Sequence, residues 1–143
     1  MQEENIENSI EDASLFERYH QEITKLVSVD EFNMKQVQMD LPANRHYWVG
    51  RLIFHKSELI KVNKIKKQAI EKVIERLQDN SPVLLSRKTL EDSAEKHPVI
   101  QKINEQITEH EILIDYLSKI ESNFRSISYD IKNLIEIIRL ETT

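Results

Sequence analysis

From Ile100 onward the chain keeps an alternating spacing of three and four through Ile103, Ile107, His110, Ile114, Leu117, Glu121, Phe124, Ser128, Ile131, Ile135 and Ile138. Only a helix brings positions at that spacing onto one side, and a mostly apolar seam held this long is a packing surface. Leu113, Ile120, Ile127 and Leu134 recur every seven residues beside it and widen it, so the helix is expected to touch more than one neighbour. Pro98 suits its first turn. A helix from Pro98 to Arg139 would be about 60 Å long, more than a compact chain of this size covers by itself. Self-association through Ile100, Ile103, Ile107, Ile114, Leu117, Phe124, Ile131, Ile135 and Ile138 is therefore expected. His110 and Glu121 fit a polar layer in the seam that fixes register, and pairing or water must satisfy them.

Other compositional facts narrow the fold to all-α. Gly50 is the single glycine among 143 residues, and Pro42, Pro82 and Pro98 are the three prolines. Hairpins have almost no turn chemistry to use, and glycine-rich phosphate loops are excluded. With no cysteine there is no disulfide framework and no thiolate zinc site. The five histidines (His20, His46, His55, His97, His110) show no metal-ligand pairing such as H-E-x-x-H, so neither a metal, another cofactor nor a catalytic residue is expected. The acidic start, MQEENIENSIED, has no basic and apolar leader pattern, and no apolar run reaches the roughly 18 residues of a membrane span. A cytoplasmic protein is expected.

Residues 1–13 read as an acidic, loosely ordered tail, and residues 14–143 as one α-helical domain. Ser14 caps a short helix whose inner face holds Leu15, Phe16, Tyr19, Ile23 and Leu26. In residues 28–41 neither helical nor strand period holds, which predicts a connector with a short helix after Asp30, closed by Pro42. The turn formers Asp79, Asn80, Ser81 and Pro82 end the next helix, and a short helical turn follows Ser86.

Between them, residues 43–78 form the one strongly basic stretch. Nine basic residues against three acidic ones give it a net +6, while residues 1–42 carry −7 and residues 79–143 carry −4. At 100° per residue, Trp48, Leu52, Leu59, Val62, Ala69, Ile70, Val73 and Leu77 gather on one face. Lys61, Lys64, Lys72 and Arg76 point away from it, and Arg45, Lys56 and Lys67 form a flanking row at eleven-residue spacing. Such edges attract phosphates through counterion release without reading any base; the plainer alternative is a solvated lysine face. Tyr47 and Trp48, beside Arg45 and His46, offer rings on which a base could stack, and the direction of Trp48 also suits the core.

The order of HYWVGRL, the KKQA step at Lys66 to Ala69, the KTL segment at Lys88 to Leu90 and the ending DIKNLIEIIR resembles the UvsY family of recombination mediators from T-even-type bacteriophages. The resemblance runs from about Asp30 to Arg139. It implies a small all-α protein assembling as a ring, active in DNA recombination and repair. Members bind single-stranded DNA without sequence preference and help load a recombinase onto DNA covered by single-stranded-DNA-binding protein; both proteins are implied partners. In the family the DNA-binding cations follow the lysine pair, here Lys66 and Lys67 followed by Lys72 and Arg76, with Glu71 intervening. The expected DNA-binding set is Arg51, Lys56, Lys61, Lys64, Lys66, Lys67, Lys72 and Arg76. The competing expectation is a coiled-coil scaffold or adaptor that binds only protein.

Overall fold

A computed structural model describes residues 14–143; the expected acidic tail lies outside them. The described residues form helices α1 (Leu15–Val27), α2 (Met34–Asp79), α3 (Arg87–Glu95) and α4 (Pro98–Thr142), with no strand among them. They group into two compact units. One contains residues up to Val49 together with Lys119–Thr143, and the other spans Gly50–Ser118.

In the first unit, Ser14 Oγ accepts from the Glu17 N–H at 3.2 Å and starts α1. Tyr19 and Ile23, four residues apart, are buried, whereas Phe16 is turned outward and stacks on His20. Phe16 thus departs from the expected inner face, because the buried stripe of this helix is narrower than the five positions drawn from spacing. Asp30 and Asn33 then cap each other. Asp30 Oδ1 accepts from the N–H groups of Phe32 and Asn33, and Asn33 Oδ1 accepts from the Asp30 N–H. That reciprocal arrangement satisfies orphan donors as a capping box does and launches α2.

The expected break at Pro42 does not occur, and residues 34–42 belong to the same helix as the basic stretch. Pro42 has no N–H to return to the carbonyl four residues back, a loss usually of about 3 kcal/mol or more. Its ring lies on the exposed side, and buried Leu41 and Trp48 anchor the helix around it. Packing outweighs the missing bond. The Trp48 ring meets Tyr19 edge-on at 5.1 Å between centroids. Phe124, Ile127 and Ile131 of α4 are buried in this unit as well. Half-buried Glu121 accepts from Arg125 Nε at 2.8 Å, with Arg45 at 3.9 Å, so its place on an apolar seam is electrostatically satisfied.

In the second unit, Val62, Val73 and Ile74 of α2, Leu90 and Ala94 of α3, and Ile100 and Ile103 of α4 form one apolar cluster. The connections suit their residues. The Gln78 side chain spans the turn, donating to the Val83 carbonyl and accepting from the Leu85 N–H. Ser86 Oγ accepts from the Thr89 N–H to cap α3, and His97 Nδ1 accepts from the Val99 N–H at the entry to α4. Both helix starts follow the sequence signals Ser86 and His97-Pro98.

α4 is unbroken through residues 122–130. Of the seam residues expected at a subunit contact, Ile100, Ile103, Leu117, Phe124 and Ile131 are buried inside the chain. Ile107, Ile114 and Ile138 are half-buried, and Ile135 is exposed. The large apolar groups that α4 turns outward include Ile112, Ile137 and Leu140.

Candidate nucleic-acid interface

All eight expected DNA-binding residues lie on α2 within the second unit. The buried line His55, Val62 and Val73 fixes which side of the helix faces inward, so the cations on the other side face water. Lys56, Lys61, Lys64, Lys67, Lys72 and Arg76 are exposed, and Arg51 and Lys66 are half-buried.

Their partners divide them. Lys66 Nζ reaches Glu95 of α3 at 3.3 Å, and Lys61 Nζ reaches Glu58 one turn back at 3.0 Å. The Arg51 guanidinium lies over the Phe54 ring, 5.9 Å from its centroid. Lys56, Lys64, Lys67, Lys72 and Arg76 have no carboxylate within ion-pair distance among the described residues. These five are the cations most available to an outside anion.

Glu71, the acidic interruption of the segment, is held by Arg87 of α3, which also binds Glu91 at 2.8 Å. The hydrogen bond from Arg87 pulls the Glu71 carboxyl below the usual carboxylate range, and bonds to Glu71 and Glu91 raise the Arg87 guanidinium above its ordinary value. Its negative charge is thus met by α3 instead of by Lys67 or Lys72. Arg87 was missing from the expected set because it sits 16 residues beyond Glu71 across a turn, a separation with no periodic signature.

Beneath this surface, His55 Nδ1 and His110 Nδ1 meet at 3.1 Å between α2 and α4, one ring donating to the other. Burial, then His110, then Arg51 hold His55 below its ordinary pKa, opposed by Glu109 and Glu58. No group of three or more His, Asp or Glu side chains suited to a metal occurs among the described residues. Nor is any described helix long and apolar enough to cross a membrane.

The aromatic cluster lies in the first unit. Trp48 is 4% exposed, with Tyr19 on one side and Tyr47 edge-on at 5.0 Å, so its indole is an anchor of that unit and has no face open for a base.

No family model and no curated protein matches the chain. Solved structures do. A crystal structure of the bacteriophage T4 recombination mediator protein UvsY has a TM-score of 0.74 over 90% of this chain and 99% of that one, at 19% identity. A second crystal lattice of the same protein has a TM-score of 0.73 over 92% and 100%, at 17% identity. The chain has the UvsY fold. The resemblance read from the order of segments thus extends to the three-dimensional path of nearly the whole described chain, with fewer than one residue in five shared.

Proposed function

We propose that the chain is a recombination mediator that binds single-stranded DNA without sequence preference and promotes loading of a recombinase onto DNA covered by single-stranded-DNA-binding protein. The observation that carries this reading is the set Lys56, Lys64, Lys67, Lys72 and Arg76, exposed and without acidic partners among the described residues, on a chain with the UvsY fold. Flexible cations spread over the exposed sides of one helix suit a phosphate backbone and carry no base code. Arg51 sits at the edge of the surface, and Lys61 and Lys66 join it by exchanging a carboxylate for a phosphate. The role is one of binding and handing over a strand, with no catalytic step.

Self-association belongs to the same reading, because several copies of one weak site along a strand act together. The outward Ile135, Ile137 and Leu140, with half-buried Ile138, supply an apolar contact near the end of α4 that does not compete with the chain's own core. The proposed assembly is a ring of identical chains.

Lys67→Ala with Lys72→Ala tests the DNA reading. Each lost phosphate contact lowers the steepness of log affinity against log salt by roughly 0.7 for single strands, so the pair should lower it by about 1.4. Affinity should fall similarly for unrelated sequences. An unchanged salt dependence would remove these lysines from the interface, and a wild-type protein with no affinity for an unstructured oligonucleotide would favour a protein-only scaffold.

A further inference from the structure

In the second unit, the solvent side of α2 holds an aromatic ring, Phe54, that neither the core nor the cation pattern accounts for. Phe54, Lys61, Ile65 and Lys72 are separated by seven, four and seven residues, so they share one line of the helix. All four are exposed, and Phe54 keeps 47% of its surface in water. That line lies away from the buried line His55, Val62 and Val73.

The ring is nevertheless held in place. The Arg51 guanidinium lies over it, one turn back, at 5.9 Å from the centroid, and the His55 ring meets it at 5.2 Å with the planes 76° apart. His55 is itself fixed by burial and by His110. A ring held by Arg51 and His55 of its own helix, with 47% of its surface still in water, loses little freedom when a flat partner arrives. The cationic neighbour also selects the chemistry of that partner, since an anionic polymer with π-faces satisfies both groups.

We propose that Phe54 is a stacking platform for a nucleobase of a bound single strand, with Arg51 supporting the ring and Lys61 and Lys72 holding phosphates further along the same line. This rests on the single-stranded-DNA reading and adds a contact of a different physical kind. Phosphate contacts weaken steeply with salt, whereas stacking on an aromatic ring accepts any base and releases no counterions. The two are therefore separable by experiment.

Affinity would be measured for a thymidine oligonucleotide and for an abasic strand of equal length, at several salt concentrations, with wild type, Phe54→Ala, Phe54→Leu and Phe54→Trp. Phe54→Ala should weaken binding to the oligonucleotide on the order of fivefold or more, leave the salt slope unchanged and leave abasic binding unaffected. Phe54→Leu, which keeps apolar bulk without a π-face, should behave like the alanine variant. Phe54→Trp should retain affinity, and its fluorescence, after subtraction of the buried Trp48 signal, should be quenched by the oligonucleotide and not by the abasic strand. Salt-dependent wild-type binding with no loss in Phe54→Ala, or an equal loss on the abasic strand, overturns the platform and leaves the phosphate reading standing. Absence of wild-type binding to either strand overturns both.

Discussion

The two long helices, α2 and α4, have nearly equal length, 46 and 45 residues, and opposite uses of their surfaces. α2 carries ten basic residues against five acidic, and α4 carries five against eight. Cations on α2 meet few carboxylates and remain in water. On α4, Arg125 binds Glu121 and Arg139 binds Glu136 within single turns. Both helices send one stripe into the cores and leave apolar groups outside, Ile53, Phe54, Ile60 and Ile65 on α2 and Ile112, Ile135, Ile137 and Leu140 on α4. Helices of similar length thus differ most in net charge, α2 being basic and α4 acidic.

The largest effect expected from breaking this contrast is on stability. Leu117 is 2% exposed and Phe124 1% exposed, so Leu117→Asp or Phe124→Asp places a charge in a core, and thermal unfolding should show loss of a cooperative transition. The milder Phe124→Ala should cost about 3–5 kcal/mol by denaturant titration. Corresponding losses at Lys67 and Lys72 should leave the melting temperature in place.

Assembly should respond to other positions on the same helix. Ile137→Asp with Leu140→Asp, at side chains 52% and 77% exposed, should dissociate the particle in light scattering while the melting temperature of the chain stays within a few degrees. If these changes leave the mass unaltered, the end of α4 is not the contact. A sharper test of the division of labour removes charge from α4. Lys119→Ala, Lys132→Ala and Arg139→Ala together should leave the affinity for single strands nearly unchanged.

The smallest effect concerns pH. The folded protein holds His55 below its ordinary value near 6.5, so the unfolded chain binds more protons as acidity rises through that point. This contribution is fully present above about pH 6.5 and declines as pH falls through the folded value. The groups acting on His55 are Arg51 and Glu58 on α2 and Glu109 and His110 on α4. Denaturant titrations from pH 7.5 to 5 should show this slope, and His55→Leu with His110→Leu should flatten it.

Local signals carried most of the fold. Ser14, Asp30, Ser86 and His97-Pro98 announced four helix starts because a cap is satisfied within three residues, and the seam at Ile100 to Ile138 announced α4 because packing imposes its period. Pro42 misled, since the cost of a missing hydrogen bond is visible in sequence while the compensating burial of Leu41 and Trp48 depends on residues far along the chain. The charge of α2 was legible, but its division into paired and available cations was not. Lys66 with Glu95 and Arg87 with Glu71 join residues 29 and 16 positions apart. The place of Phe54 off the core face was readable from the helical period. A phenylalanine outside the core face was the signal.

The central claim is that α2 binds the phosphates of a single strand, and the most direct measurement is wild-type affinity for an unstructured oligonucleotide from 50 to 200 mM salt. With at least Lys56, Lys64, Lys67, Lys72 and Arg76 engaged, log affinity should fall against log salt with a slope of about −3.5 or steeper per bound chain, and this slope should be the same for unrelated sequences. A slope near zero, or no binding near 50 mM salt, would contradict the claim.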